Sequence, residues 1–383
     1  MPPPYAITVA EHRPTPVLSA SNAIGRGAAP KGCIVFNPSY IPASASFNQT
    51  GLLVRLCCGP HCIGHGRRDN PIEDVFAAPA AERIGFAPCN LETGICGDVL
   101  PSAQFNLDPD SDSEDPRAFY YAETQSYYNF YYRGTNEPIG RRICPQANNQ
   151  CRVRLARTQT PLDASSWEAI GTFPWHRNGC CAMAPKGERS YCIWGEGPDP
   201  FPGLGISYTT DIDTGLFTPV RWTAVAGVDS PLSDDGRWLL PLGASQEEVK
   251  LEAGAHMVRL SSGDWLHFYA AATPGWVPRG NYTAGFLVLD GQDPTRILQR
   301  SGPHLLVPTF DFETLCGGAA GCRYRGERKN VIFVSSASLL PPAASGQAGE
   351  PVDRIRLFFG GGDGNVGTAV VEVVGRQRSS EFV

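Results

Sequence analysis

The 383-residue chain has no uninterrupted apolar run of the ~18 residues that a membrane-spanning helix needs. It has no basic surplus either. Its 32 lysines and arginines against 38 aspartates and glutamates leave a net charge of -6, and a phosphate backbone requires a basic face, so nucleic acid is set aside as a partner. The N-terminal stretch MPPPYAITVAEHRPTP lacks the apolar core of a secretory signal. Uninterrupted helix-forming segments are scarce as well. Glycine (42) and proline (34) punctuate the whole chain, which suits many short strands joined by turns. With 42% hydrophobic and 18% charged residues, the chain has the composition of a globular protein, not of a disordered one.

Cysteine, by contrast, is plentiful at 13. Close pairs around polar turns, Cys89 with Cys96, Cys144 with Cys151 and Cys316 with Cys322, are spaced to staple single loops. Of the doublet Cys180-Cys181, one thiol is expected to pair with Cys192 across a hairpin. The cluster Cys57, Cys58, His61, Cys62 and His65 has the residue types of a zinc site. Its spacing matches no standard finger, so structural bridges are the default and no metal is expected. The odd count leaves at least one cysteine without an intrachain partner. Disulfides persist in oxidising compartments, and sequons at Asn48 and Asn281 agree with that route. The expectation is a secreted or lumenal glycoprotein, its leader lying outside this sequence. The alternative is a cytoplasmic one.

Five segments repeat one pattern of an apolar strand, a polar turn, an aromatic-rich strand and a strand with small residues. Examples are GLLVRLCCG, RAFYYAETQSYYNFYYRG and RIRLFFGGGD, each alternating with period two. One such sheet cannot bury both faces alone, but radial stacking buries them all, which defines a five-bladed, all-β propeller. The blades are expected near 33–90, 115–160, 178–225, 252–300 and 328–374, in a single domain. Linking segments such as FTPVRWTAV and ILQRSGPHLL are candidates for fourth strands, and YAITVAE is a candidate to close the ring on the last blade. The stretch Pro341 to Pro351 reads as an exposed turn.

Propellers bring their innermost strands to the central axis, so polar residues at blade entrances converge there. Those residues are Asn37, Arg55, Asp115, Arg117, Arg177, Glu196, Glu252 and Asp363. Carboxylates facing each other across a funnel can share glycoside cleavage, one protonating the leaving oxygen and one activating water. Arginine and asparagine beside them suit sugar hydroxyls and tune the acids. Trp194, Trp265 and Tyr282 are candidates to stack on a sugar, although aromatics in propeller strands more often belong to the core.

Several motifs give these residues a context. Asn37-Pro38 enters the first blade, followed by Leu53 to Arg55 and by the E-D-P-R of Glu114 to Arg117. Later come Tyr282 through Pro294, Arg300 to Pro308, Asn330 to Phe333 and the F-F-G-G-G-D of Phe358 to Asp363. In this order the chain resembles glycoside hydrolase family 130, the β-mannoside phosphorylases and β-mannosidases, from about Asn37 to Val373. The resemblance implies a mannoside substrate, no cofactor, and Asp115 as a general acid that acts through a hydroxyl of the bound mannose. It makes Arg55, Arg117 and Asp363 sugar-contacting or site-shaping positions, with buried ion pairs as the alternative.

The family's phosphorylases hold phosphate with a lysine near blade three and a histidine near blade four. Here Arg177 stands at the first place and the second reads Phe268 to Ala272 without a histidine at the site; Arg133 matches a phosphate-binding arginine. Glu196 and Glu252 match glutamates that act as base in the hydrolase branch. The leading expectation is an inverting exo-acting β-mannosidase. A phosphorylase using Arg133 and Arg177, and a non-catalytic sugar-binding propeller, are the alternatives.

Overall fold

The computed structural model describes residues 4–20, 33–58, 82–107, 113–133, 153–172, 177–195, 203–225, 250–273, 281–318, 322, 324, 329–341 and 352–375. Strand β1 spans Tyr5–His12. The first blade holds β2 (Cys33–Ile41), β3 (Gly51–Cys58), β4 (Glu82–Pro88) and β5 (Gln104–Phe105), and the second holds β6 (Ser113–Tyr121), β7 (Ser126–Arg133), β8 (Val153–Thr158) and β9 (Glu168–Thr172). The third contains β10 (Arg177–Ala182), β11 (Ser190–Gly195), β12 (Gly205–Thr209) and β13 (Thr218–Val220). A two-residue strand, β14 (Ala224–Val225), then crosses to the edge of the fourth blade, made of β15 (Lys250–Ala253), β16 (Val258–Arg259), β17 (Trp265–Ala272), β18 (Tyr282–Leu289) and β19 (Arg296–Arg300). The fifth comprises β20 (Ile332–Leu339), β21 (Val352–Gly361) and β22 (Asn365–Gly375). The result is a five-bladed β-propeller.

Three sequence expectations reappear in the edges of these sheets. The segment YAITVAE forms β1 and pairs antiparallel with β22, Tyr5 opposite Gly375, so the ring closes with a strand from the far end of the chain. FTPVRWTAV divides between two blades, its first part forming β13 and its last part forming β14, which runs parallel to β19. ILQRSGPHLL contributes β19 to the edge of blade four.

Strands in the middle of a blade are covered on both faces, and their composition follows. Every residue of β3 (GLLVRLCC) and of β18 (YTAGFLVL) is buried. Burying a Leu, Val or Phe side chain contributes roughly 1.5–3 kcal/mol, so the stacking of blades is what makes each sheet stable. Gly205 shows how tight that stacking is, since a Cβ there would lie 1.9 Å from the Trp194 ring.

Disulfides join neighbouring strands and staple loops. Cys89–Cys96 and Cys316–Cys322 form as expected from spacing, and Cys181 takes Cys192 directly across the β10–β11 hairpin. Cys33 pairs with Cys58 across β2 and β3, and Cys57 is also disulfide-bonded. Cys144 and Cys151 lie outside the described residues, as do His61, Cys62, His65 and 342–351. Among the described residues, Cys180 is the cysteine left as a thiol, and it is buried. No helix among the described residues is long and apolar enough to cross a membrane.

Candidate active site

The innermost strands β2, β6, β10 and β20 carry a register break near their entrance: between Phe36 and Ser39, between Glu114 and Arg117, between Arg177 and Gly179, and between Val334 and Ser336. In blade four the corresponding strand is split between β15 and β16. A β-bulge bends its strand and re-aims one side chain. In blades one to three that side chain belongs to Asn37, Asp115 and Asn178, all left-handed, with φ of 47°, 49° and 55°. Asn and Asp tolerate this conformation better than other non-glycine residues. Pro38 and Pro116 follow the first two, and proline has no N–H to lose from the ladder, so a bulge is where a strand accommodates it. All three polar residues are buried.

Asp115 is held from blade one. Its Oδ1 accepts from Asn37 Nδ2 at 2.7 Å and from an Arg55 terminal nitrogen at 3.0 Å. The same Arg55 guanidinium reaches Glu82 Oε1 at 2.6 Å and Glu114 Oε2 at 3.1 Å, and it stacks over Phe36 with its carbon 4.7 Å from the ring centre. Three carboxylates therefore share one guanidinium. On blade five, Gly360 presses against the Asn37 amide; a Cβ there would stand 2.3 Å from Oδ1.

Arg117 was expected to touch sugar or to shape the site, and its surroundings fit the second role. Its side chain is wholly buried. Nε donates to Gly254 O at 2.8 Å, a terminal nitrogen donates to Pro116 O at 3.0 Å, and the guanidinium lies 5.2 Å from the centre of the Phe333 ring. Arg117 thus braces blade two against blade four. Burial lowers its pKa, while the charges of Asp115 and Glu252 and a hydrogen bond with Cys180 push it back up. Asp115 and Glu252, which are far apart in sequence, therefore both lie within electrostatic reach of one cation.

Around Arg117 sits a polar layer in which Cys180 and His267 are buried and His256 is partly buried. Cys180 Sγ donates to Gly254 O at 2.9 Å, and burial pushes its thiol up to about 12, so it remains protonated. His256 Nδ1 accepts from the Cys181 amide at 2.9 Å, and His267 Nδ1 lies 2.9 Å from Ala255 O. Desolvation lowers these imidazoles to about 4 and about 3, so both are neutral at physiological pH.

Glu252 forms a second centre. Its Oε1 receives Lys250 Nζ at 2.7 Å and the Tyr282 hydroxyl, and its Oε2 receives Asn178 Nδ2 at 3.3 Å. Lys250 also donates to the Tyr282 hydroxyl at 3.2 Å. Tyr282, expected against sugar, thus spends its hydroxyl on a carboxylate, and its ring packs at 6.0 Å from that of Phe333. Asp363 occupies the left-handed, half-buried turn between β21 and β22, three residues beyond Gly360.

Glu196 lies outside the described residues, as do the side chains of Arg133 and Arg177. Trp194 and Trp265 pack with the hydrophobic core. Lys250, Asn178 and Glu82 were not singled out from the sequence. The N-P and D-P dipeptides, which demand a bulge within a strand, were the available signal for the register breaks. A cavity of about 430 Å³ lined by residues including Ile7, Phe286 and His304 shares no residue with this site. No cluster of metal-binding side chains occurs among the described residues.

The five-bladed fold is shared with solved structures of other proteins. The chain superposes on a β-1,2-mannobiose phosphorylase from Listeria innocua, determined with β-1,2-mannobiose, at a TM-score of 0.61 and 16% identity, over 95% of this chain and 96% of the other. It superposes on a glycosyl hydrolase from Bacteroides ovatus at 0.61 and 15%, over 95% and 93%. These likenesses establish the fold, which is the one implied by the family resemblance. No protein-family model matches the sequence, and no curated protein sequence does either.

Proposed function

We infer that the protein cleaves terminal β-mannosides with inversion, Asp115 acting as general acid and Glu252 as the base that activates water. The observation that carries this reading is the contrast between the two carboxylate environments. Asp115 shares Arg55 with Glu82 and Glu114. Like charges at this spacing favour keeping a proton within the cluster, which is what an acid requires. Glu252 is compensated by Lys250 and receives neutral donors, so it favours the ionised form that a base requires. Pairs whose environments push them toward opposite protonation states are the usual mark of an acid and a base. The mannobiose bound by the Listeria phosphorylase and the matching E-D-P-R motif support a β-mannoside as substrate. In this reading Arg117 shapes the site, and Asn37, Arg55 and Asp363 remain the sugar-side candidates.

Phosphorolysis is the second reading, and Lys250 favours it. Two uncompensated carboxylates would repel phosphate, but Glu252 has a cation at 2.7 Å, so the charge argument for water alone is weaker than the sequence implied. Incubating the purified protein with β-mannobioses, with and without phosphate, separates the two. Mannose released without phosphate supports hydrolysis, and mannose 1-phosphate as the main product overturns it. Four disulfides among the described residues support a secreted or lumenal location. Free-thiol titration of the denatured protein tests that: about 13 free thiols would contradict it.

A further inference from the structure

Asn37 and Asn178 occupy equivalent places in the fold. Each is the left-handed residue at the bulge of an innermost strand, and each donates its amide to a carboxylate of the next blade: Asn37 to Asp115 at 2.7 Å and Asn178 to Glu252 at 3.3 Å. Both amide orientations are fixed by this contact, because turning either amide would set its oxygen against a carboxylate. The oxygen of each is buried with no hydrogen-bond partner among the described residues. Leaving a buried acceptor unsatisfied costs about 1–3 kcal/mol, so local satisfaction does not explain the arrangement. Orientation of the carboxylate does.

We propose that Lys250 and Asn178, with the Tyr282 hydroxyl, are positioning residues that aim and charge Glu252, while Arg55 and Asn37 aim Asp115. This rests on the reading of Glu252 as the base. Two donors fix Oε1, from Lys250 on its own strand and from Tyr282 on β18, and the β10 amide fixes Oε2. Arg117 on β6 is a second cation within electrostatic reach. On β11, Gly195 lies against the Glu252 backbone, where a Cβ would stand 2.8 Å from its Cα, so this wall contributes closeness instead of charge. Lys250 is a positive charge 2.7 Å from Oε1 and only 14% exposed on its side chain, so water screens it little. Its loss removes the adjacent opposite charge from a buried carboxylate whose donors also include the neutral Tyr282 hydroxyl and Asn178 amide.

The test is a ¹³C NMR titration of the glutamate side-chain carboxyls in the full chain, with Glu252 assigned by its disappearance in E252Q. In K250M its midpoint rises by about 1–3 pH units, the range for removing an adjacent opposite charge. K250R restores it to within about half a unit. Y282F and N178A each raise it by a smaller step, and they decide the matter if K250M does not fold. An unmoved midpoint in the folded variants overturns the positioning role. The reading beneath it fails separately: E252Q cleaving mannoside at the wild-type rate removes Glu252 as base, whatever its titration shows. With both intact, the acidic limb of kcat/KM in K250M moves to higher pH in step with the NMR midpoint, which a merely structural lysine would not produce.

Discussion

Blades one and two hold their carboxylate in a crowd of like charge, while blades three and four hold theirs in a nearly neutral shell. Around Asp115, Arg55 serves three carboxylates. Around Glu252, one lysine serves one carboxylate, with a phenol and an amide as further donors. The backbone device is the same on both sides, a left-handed bulge that projects an asparagine, and only the charge placed beside it differs. One propeller template therefore carries two carboxylates in different charge settings, which is what the proposed acid and base roles draw on.

The largest expected effect comes from removing the proton on the crowded side. D115N, nearly isosteric, loses about 10²–10⁴-fold in turnover while the melting temperature and sugar affinity stay close to wild type. Retention of more than about a tenth of the rate would remove Asp115 as the acid. Dilution of the crowd comes next. E82Q takes one negative charge from the Arg55 cluster, so the proton there is held less firmly and the basic limb of the pH profile moves to lower pH. A shift to higher pH would break the comparison.

A third expectation concerns the layer beneath both centres. His256 and His267 are neutral in the fold, lowered to about 4 and about 3, whereas an unfolded histidine titrates near 6.5. The unfolded chain therefore binds more protons as pH falls below about 6.5, and stability drops through that range toward the folded values. Urea midpoints at pH 7, 6 and 5 should fall in order; a flat series would mean that the imidazoles are not sealed. The smallest effect is assigned to the rim. Reducing Cys89–Cys96, which closes a loop with a sequence separation of 7, should cost on the order of 2–3 kcal/mol in the entropy model and leave the pH profile unchanged. A changed profile would couple the rim to the site.

The blades were readable because their cause is local: period-two alternation and turn residues recur five times, and β1 carries the same alternation as the strands it joins. The Cys89–Cys96 and Cys316–Cys322 staples were readable from separation alone. Asp115 stood out through Pro116 and Arg117, which follow it. Lys250 did not, because a lysine at a strand edge ordinarily reads as solvated, and only the fold brings Tyr282 over from β18. Asn178 was overlooked between Arg177 and the cysteines, since a left-handed φ leaves no mark in sequence without a glycine or a following proline. Arg117 read as a sugar-contacting or site-shaping residue, with a buried ion pair as the alternative, and its complete burial was not legible in the sequence.

The closing of the ring has a consequence for how the molecule comes into being. Tyr5 is matched to Gly375, so a chain emerging from the ribosome exposes β1 first and completes its partner last. The entropy of joining such distant segments grows only logarithmically, to about 5 kcal/mol for a separation of this size, but the delay is unavoidable, and long-range pairing is slow. Until then, the fifth blade has an open edge at β22, a template for a neighbouring chain. His12 against Glu313 at 2.6 Å and Arg13 donating to Thr93 O at 2.6 Å then fasten β1 to the blade-five entrance and to the first blade's stapled loop. A rearranged gene that moved β1 to follow β22 would make all five sheets contiguous, so that each could assemble as it is synthesised.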